Sequence, residues 1–326
     1  PKRQLIRAKR YFASNFKKNR FSINLKEHKL IRIGYFSANF YEHAVSHLLV
    51  RTLELHNKKK FSIFSYSFSS IKPDEYTHRI ISASDTYRDI RNFNDLDVAN
   101  LVVSDEIDIA VDLMGYSDNN RHGIFAYKPA PIQISYLGYP CTTGSDVIDY
   151  IIADNNLIPE EQEKYYSEKI IHMPCSYLCN DDSLSISKRL FKLEDLGINK
   201  DSFVFCCFNT NYKIGPIEFD SWMRILSKLD KSILWLVKSN ELATQNLYKQ
   251  TKARGIDPSR IIFSEPIKLN EHMARQKIAH LALDTFNYNS GATAWMYLRS
   301  GLPLLTLSGQ SYASRMATSI LKSLDL

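Results

Sequence analysis

The sequence predicts an α/β protein built from two doubly wound parallel-sheet domains. Three observations carry that prediction. A length of 326 residues accommodates two domains of ordinary size. The second half alternates strand and helix patterns five times, and the first half does so less cleanly. A polar stretch from Pro174 to Asp201, holding Asn180-Asp181-Asp182-Ser183 and little periodicity, separates the halves. The expected division is a basic helical leader over 1–29, a first domain over 30–180, a linker over 181–201 and a second domain over 202–326. Two such domains are expected to face a cleft across the carboxyl ends of their strands.

In chain order, residues 1–28 read as basic and helical. Leu30–Ser37 is a strand, followed by a loop carrying Glu42 and His43. Ser46 is the expected N-cap of a helix running to about Asn57, with His47 at its start. Lys60–Phe68 alternates as a strand, and Pro73–Ile81 and Leu96–Val103 read as helices. Asp108–Leu113, Ile132–Leu137, Val147–Ala153 and Lys169–Met173 are further strands, with the loop GYPCTTG at Gly138–Gly144. Phe203–Phe208 restarts as a strong strand. Pro216 opens a helix whose apolar face is Ile217, Trp222, Ile225, Leu226 and Leu229. Ile233–Val237 and Ile261–Phe263 are strands, and Asn240–Arg254 and Asn270–Ala279 are helices.

The stretch Leu281–Arg315 reads strand, loop, helix, strand, loop, helix. Leu281–Leu283 ends in Asp284, and a loop rich in Asn, Ser and Gly follows. A helix then starts near Ala292 and stops at Gly301 before Pro303. A small-residue loop between a buried strand and a helix N-terminus is where such folds bind phosphate, because free N–H groups and the helix dipole face the anion.

Composition is that of a globular chain with a proper core, 44% hydrophobic and 24% charged. No apolar run approaches the ~18 residues that a membrane span needs. Net charge is +7, and much of the excess lies early, at Lys2, Arg3, Arg7, Lys9, Arg10, Lys17, Lys18 and Arg20. Aromatic interleaving for base stacking is poor there, so a solvated helix face is expected rather than a nucleic-acid arm. Cys141, Cys175, Cys179, Cys206 and Cys207 are odd in number and lack paired metal-ligand spacing. They are expected to be reduced core thiols of a cytoplasmic protein, with no metal site. Pro1 and the uncapped finish SILKSLDL suggest the ends of a piece of a longer chain.

Ten ordered blocks narrow the reading: IRIGYFSANFYEHAVSHLL, VDLMGY, GIFAYKPAPIQISYLGYPCTTG, IDYIIAD, YSEKIIHMP, FNTNYKIGP, RIIFSEP, EHMAR, LALDTFNYNSGAT and SGLPLLTLSGQSYASR. Together, over about residues 30–326, they resemble the catalytic region of the SPINDLY-like and O-linked N-acetylglucosamine transferases. The resemblance implies two Rossmann-like domains of the GT-B type. It also implies inverting, metal-independent transfer from a nucleotide-sugar to a Ser or Thr hydroxyl of a protein. UDP-N-acetylglucosamine is the default donor and GDP-fucose the alternative, and no cofactor is needed. Tetratricopeptide repeats would precede residue 1.

The resemblance also implies roles for single residues. Lys213 matches the lysine that meets the donor phosphates, and Gly291, Ala292 and Thr293 match the phosphate-binding turn. His272 matches a histidine lying against the nucleotide base, and Arg275, one turn on, either packs there or helps the phosphates. Thr210 stands where animal enzymes carry Gln. His43 matches a candidate catalytic base, since a neutral imidazole can take the acceptor's proton. Tyr139 and Thr143 sit in the loop that approaches the sugar. Two departures stand out. Asn39 replaces an Asp able to orient His43, and Met296 replaces an acidic partner of the ribose hydroxyls. Losing a carboxylate–ribose contact costs about 1.5–3 kcal/mol of donor affinity. These two positions motivate a different reading, a catalytically impaired relative kept as a binding or scaffold module. A two-domain sugar-nucleotide epimerase shares the fold logic but not the ordered blocks.

Overall fold

The computed structural model describes residues 1–16, 19–23 and 26–326. Lys17 and Lys18 of the basic leader lie outside the described residues. The chain forms two compact units, Pro1–Ser183 and Leu184–Leu326.

The first unit opens with helix α1 (Lys2–Asn15). It continues through β1 (Ile31–Ser37), α2 (Ala44–Leu55), β2 (Phe61–Ser67), α3 (Glu75–Ala83), β3 (Thr86–Asp89) and α4 (Asp95–Ser104). Then come β4 (Ile109–Asp112), α5 (His122–Ala126), β5 (Ile132–Ser135), β6 (Tyr150–Ala153), α6 (Glu160–Glu163) and β7 (Lys169–His172). Its seven strands are ordered β3-β2-β1-β4-β5-β6-β7, and every pairing is parallel. The second unit has β8 (Phe203–Cys207), α7 (Pro216–Lys228), β9 (Ser232–Val237), α8 (Glu241–Ala253) and β10 (Ile261–Ser264). It closes with α9 (Leu269–Gln276), β11 (Leu281–Leu283), α10 (Ala292–Arg299), β12 (Leu304–Leu305) and α11 (Met316–Lys322). Its sheet order is β10-β9-β8-β11-β12, again parallel. The fold class is the one expected, α/β with two Rossmann-like units.

Both sheets are covered on both faces, and the period of two decides which side chain serves which face. On β8, Phe205 and Cys207 join Leu234, Leu236 and Leu283 in one core. Val204 and Cys206 join Trp235 and Ala282 in the other, with Phe208 just beyond the strand. Cys206 and Cys207 therefore point to opposite faces and cannot act as a pair. Both are fully buried, and burial pushes their thiols up. The expectation that all five thiols are core residues fails at Cys175, which is exposed.

Several elements differ from the sequence reading for physical reasons. The N-cap of α2 is His43, not Ser46: the His43 ring accepts from Val45 N, and Ser46 Oγ instead donates to Asn39 O at 2.6 Å. The expected strand Val147–Ala153 pairs only from Tyr150. Val147 and Ile148 are buried in the core without joining a ladder. β3 and α5 were not expected. The stretch expected as a linker divides. Asp181 is buried on Arg79 of the first unit at 2.6 Å, whereas Ile198 packs with Val204 and Trp235 of the second.

In each unit the strand order reverses at one place, between β1 and β4 and between β8 and β11. Loops leaving the carboxyl ends of those strands diverge there and leave room for a ligand. His43 follows β1 and Tyr116 follows β4, while Lys213 follows β8 and the 284–293 turn follows β11.

Candidate donor-phosphate site

In the second unit, Lys213 ends a short helical turn, Asn211–Lys213, after β8. Its ammonium lies 3.8 Å from the centre of the Tyr288 ring. Among the described residues its one hydrogen-bond acceptor is Asn289 O, at 3.4 Å. Burial pushes its pKa down to about 8, against the attraction of Asp284. A cation taken from water and left with spare donors is poised for an anion. Nearby polar atoms are short of partners too: both ends of the Asn211 amide and Asn289 Oδ1 are buried with none.

Gly291, Ala292 and Thr293 form the start of α10. Gly291 is the N-cap, with no side-chain cap, so the first N–H groups of the helix keep their free valence. Thus Lys213 and an uncapped helix N-terminus belong to one switch point, Lys213 being joined to the α10 loop through Asn289.

What holds this turn was not legible in the sequence. Asp284 is buried and accepts from Thr285 N (2.9 Å), Ser290 N (2.8 Å), Ser290 Oγ (2.8 Å), Thr306 Oγ1 (2.7 Å) and Asn209 Nδ2 (3.1 Å). Burial raises its pKa, and these donors hold it back down. Asn289 Nδ2 also closes on Thr285 O at 2.6 Å. Asp284, Asn209, Ser290 and Tyr288 thus shape the site although none was singled out as a site residue.

His272, on α9, sits edge-on to Phe208 at 4.8 Å. Arg275 Nε donates to its Nδ1 at 3.1 Å, and Arg275 also binds Glu265 O at 2.9 Å. Burial, then the Arg275 charge, push His272 down to about 3, so its ring is neutral. Arg275 packs here, 5% exposed, with its charge over the Trp235 ring. Thr210 is exposed and its carbonyl accepts from Lys213 N at 2.9 Å.

The first-unit residues are placed differently. His43 is pushed down by burial and is neutral. Its Nδ1 accepts from Val45 N at 3.2 Å, so the ring hydrogen sits on Nε2. In that tautomer Nε2 donates, and taking a proton would require release of the helix cap. The Asn39 amide donates to Met114 Sδ at 3.4 Å, a bond that a carboxylate could not make. His47 is buried against Tyr76 at 4.7 Å with both ring nitrogens unpartnered, and burial pushes it down to about 4. Tyr139 is half-buried and stacks edge-on to Tyr116 at 5.5 Å. Thr143 is fully buried, its N–H donating to Glu168 at 2.6 Å and its hydroxyl to the same carboxylate. A Thr143→Val variant should lose about 1–3 kcal/mol of stability by stripping a donor from a buried carboxylate. Denaturant unfolding alongside nucleotide titration checks this, with nucleotide affinity expected to stay unchanged. Two concavities of the first unit, one lined by His28, Glu106 and Asp108 and one by Glu54, Lys58 and Arg79, include none of these residues.

Comparison with known proteins fits this geometry to a family. Residues 11–194 and 187–326 match the model for glycosyl transferase family 41. The chain belongs to glycosyl transferase family 41. This family 41 chain is 35% identical over 298 residues to the Arabidopsis thaliana protein named probable UDP-N-acetylglucosamine–peptide N-acetylglucosaminyltransferase SEC, covering 90% of this chain and 30% of that protein. It is 30% identical over 304 residues to the Petunia hybrida protein of the same enzyme name, SPINDLY, covering 90% of this chain and 32% of that one. A mutant O-GlcNAc transferase of Thermobaculum terrenum superposes with a TM-score of 0.89 at 27% identity, covering 99% of this chain and 62% of that one. The family 41 chain thus spans about a third of the length of these curated relatives.

Proposed function

We propose that the chain is the catalytic region of a protein O-glycosyltransferase that moves N-acetylglucosamine from UDP-N-acetylglucosamine to Ser or Thr. The observation that carries this reading is Lys213, half-buried and short of acceptors beside the uncapped start of α10. In the proposed step an acceptor hydroxyl attacks the anomeric carbon on the face opposite the diphosphate, inverting that centre. The carbon–oxygen bond to the diphosphate breaks, UDP leaves with the electron pair, and the hydroxyl proton passes to water. Charge gathers on the leaving phosphate, where Lys213 and the N–H groups of α10 are preorganised to meet it. This role needs no metal. His272 offers a neutral ring to the nucleotide base. His43, with hydrogen on Nε2, orients an oxygen rather than removing its proton.

UDP titration across pH tests the role of Lys213. Lys213 has its pKa lowered to about 8, so it is charged at pH 7 and loses its proton as pH rises through about 8. UDP affinity should be level below pH 7 and fall above about 8, approaching tenfold per unit. That limb should vanish in Lys213→Met. A pH profile identical in both proteins would remove Lys213 from the site. GDP run beside UDP reads the donor, and tighter binding of GDP would reassign it to a GDP-sugar such as GDP-fucose.

A further inference from the structure

From the placement of α1 we infer that its outer face is a docking surface for an acidic stretch of polypeptide beside the acceptor residue. The inference rests on the glycosyltransferase reading for the word acceptor, and on the structure for the rest. Lys2, Arg3, Arg7, Lys9 and Arg10 supply five of the seven excess positive charges of the whole chain, and α1 contains no acid. All five are exposed, and among the described residues none forms an ion pair. Arg3, Arg7 and Arg10 follow one another at i, i+4 and i+7, making one stripe about 10 Å long. Lys2 and Lys9, also seven apart, flank it. This concentration is more than a solvated face needs, since the remainder of the chain is close to neutral.

The helix also lies against the Gly138–Gly144 loop, which the family resemblance brings toward the sugar. A Cβ at Gly144 would come within 2.4 Å of Lys9 N and 2.5 Å of Ala8 C, so α1 crosses directly over the Gly138–Gly144 loop. Tyr11 of α1 packs edge-on to Tyr116 at 4.7 Å, and Tyr116 packs on Tyr139 at 5.5 Å. The cationic helix is therefore built onto the same loop that carries Tyr139. A lipid surface fits less well, because the apolar face of α1, Ala8 and Phe12, is already buried against the unit. Nucleic acid would ask for exposed stacking rings along the stripe, and Tyr11 alone is exposed there.

The test uses the full chain and two fluorescent peptides of one sequence around a single Ser, one with a run of Glu and one with Gln in its place. Anisotropy at low salt should show the Glu peptide binding roughly tenfold more tightly, a preference that shrinks as salt rises. Arg3→Glu/Arg7→Glu/Arg10→Glu, all on exposed positions, should abolish the preference without lowering the melting temperature. Equal affinity for both peptides, or a preference that survives the triple variant, overturns the inference. So does stronger competition by phosphatidylserine vesicles or a single-stranded oligonucleotide than by the unlabelled Glu peptide. Transfer to the Ser is followed in the same samples. An Arg-dependent Glu preference without transfer supports the surface and removes the glycosyltransferase reading. Transfer to both peptides at equal affinity does the reverse.

Discussion

Replacing Lys213 with Met should reduce transfer about 10²–10³-fold in kcat, the scale for losing one preorganised donor to transition-state charge, about 2.7–4 kcal/mol. The fold should survive. Lys213 is held by one long hydrogen bond to Asn289 O and by the Tyr288 face, so it contributes little to the native state. Its depressed pKa says the charged form is penalised by burial. That penalty is fully present below about pH 8 and fades as pH rises toward the ordinary lysine value. Met fills similar volume with no charge to desolvate, so its melting temperature near pH 7 should equal or exceed that of the wild type. Activity loss with retained or raised stability separates a chemical role from a structural one. A variant that melts early and loses activity in proportion would assign Lys213 to the scaffold.

Gly138→Ala should be the most destabilising small change in the first unit. A Cβ there would fall 1.8 Å from Leu113 O and 2.9 Å from Leu113 C. Both are backbone atoms just past the end of β4, so no side chain can swing aside. The preceding Leu137 already has φ of 68°, in the left-handed region that costs a branched residue energy. The loop cannot relax without moving Gly138 away from β4 and carrying Tyr139 with it. Overpacking of this kind costs about 3 kcal/mol. For a unit of this size that lowers the melting temperature by roughly 6–12 °C, read by calorimetry. UDP affinity, which the proposed function assigns to Lys213 and α10 of the second unit, should be unchanged.

The fold was legible because both sheets are buried on both faces. Runs such as VFCCF and ILWLV announce strands, and Pro216 marks a helix start. β3 was missed because TYRD is a short, polar edge strand that looks like loop. α5 was missed because five residues carry no period. The helix start at His43 was missed because Ser46 is a better capping residue in general, and only the tertiary fold sends its hydroxyl to Asn39 O. At the site, Lys213 and the 291–293 turn were visible as motifs. Asp284 was not, since its partners Asn209 and Thr306 lie 75 and 22 residues away and meet only when β8, β11 and β12 pair. Thr143 reads as a residue of the loop approaching the sugar until Glu168 folds beneath it and takes its hydroxyl.

The most direct measurement is transfer itself. The chain is incubated with UDP carrying labelled N-acetylglucosamine and a pool of Ser- and Thr-containing peptides, with Lys213→Met beside it. Labelled peptide and free UDP should appear in equal amounts, both nearly absent in the variant. Neither product with UDP-N-acetylglucosamine or GDP-fucose, and no binding of either nucleotide, would contradict it and leave a family 41 relative kept as a scaffold for other proteins, with Asn39 and Met296 as the changes to revert first.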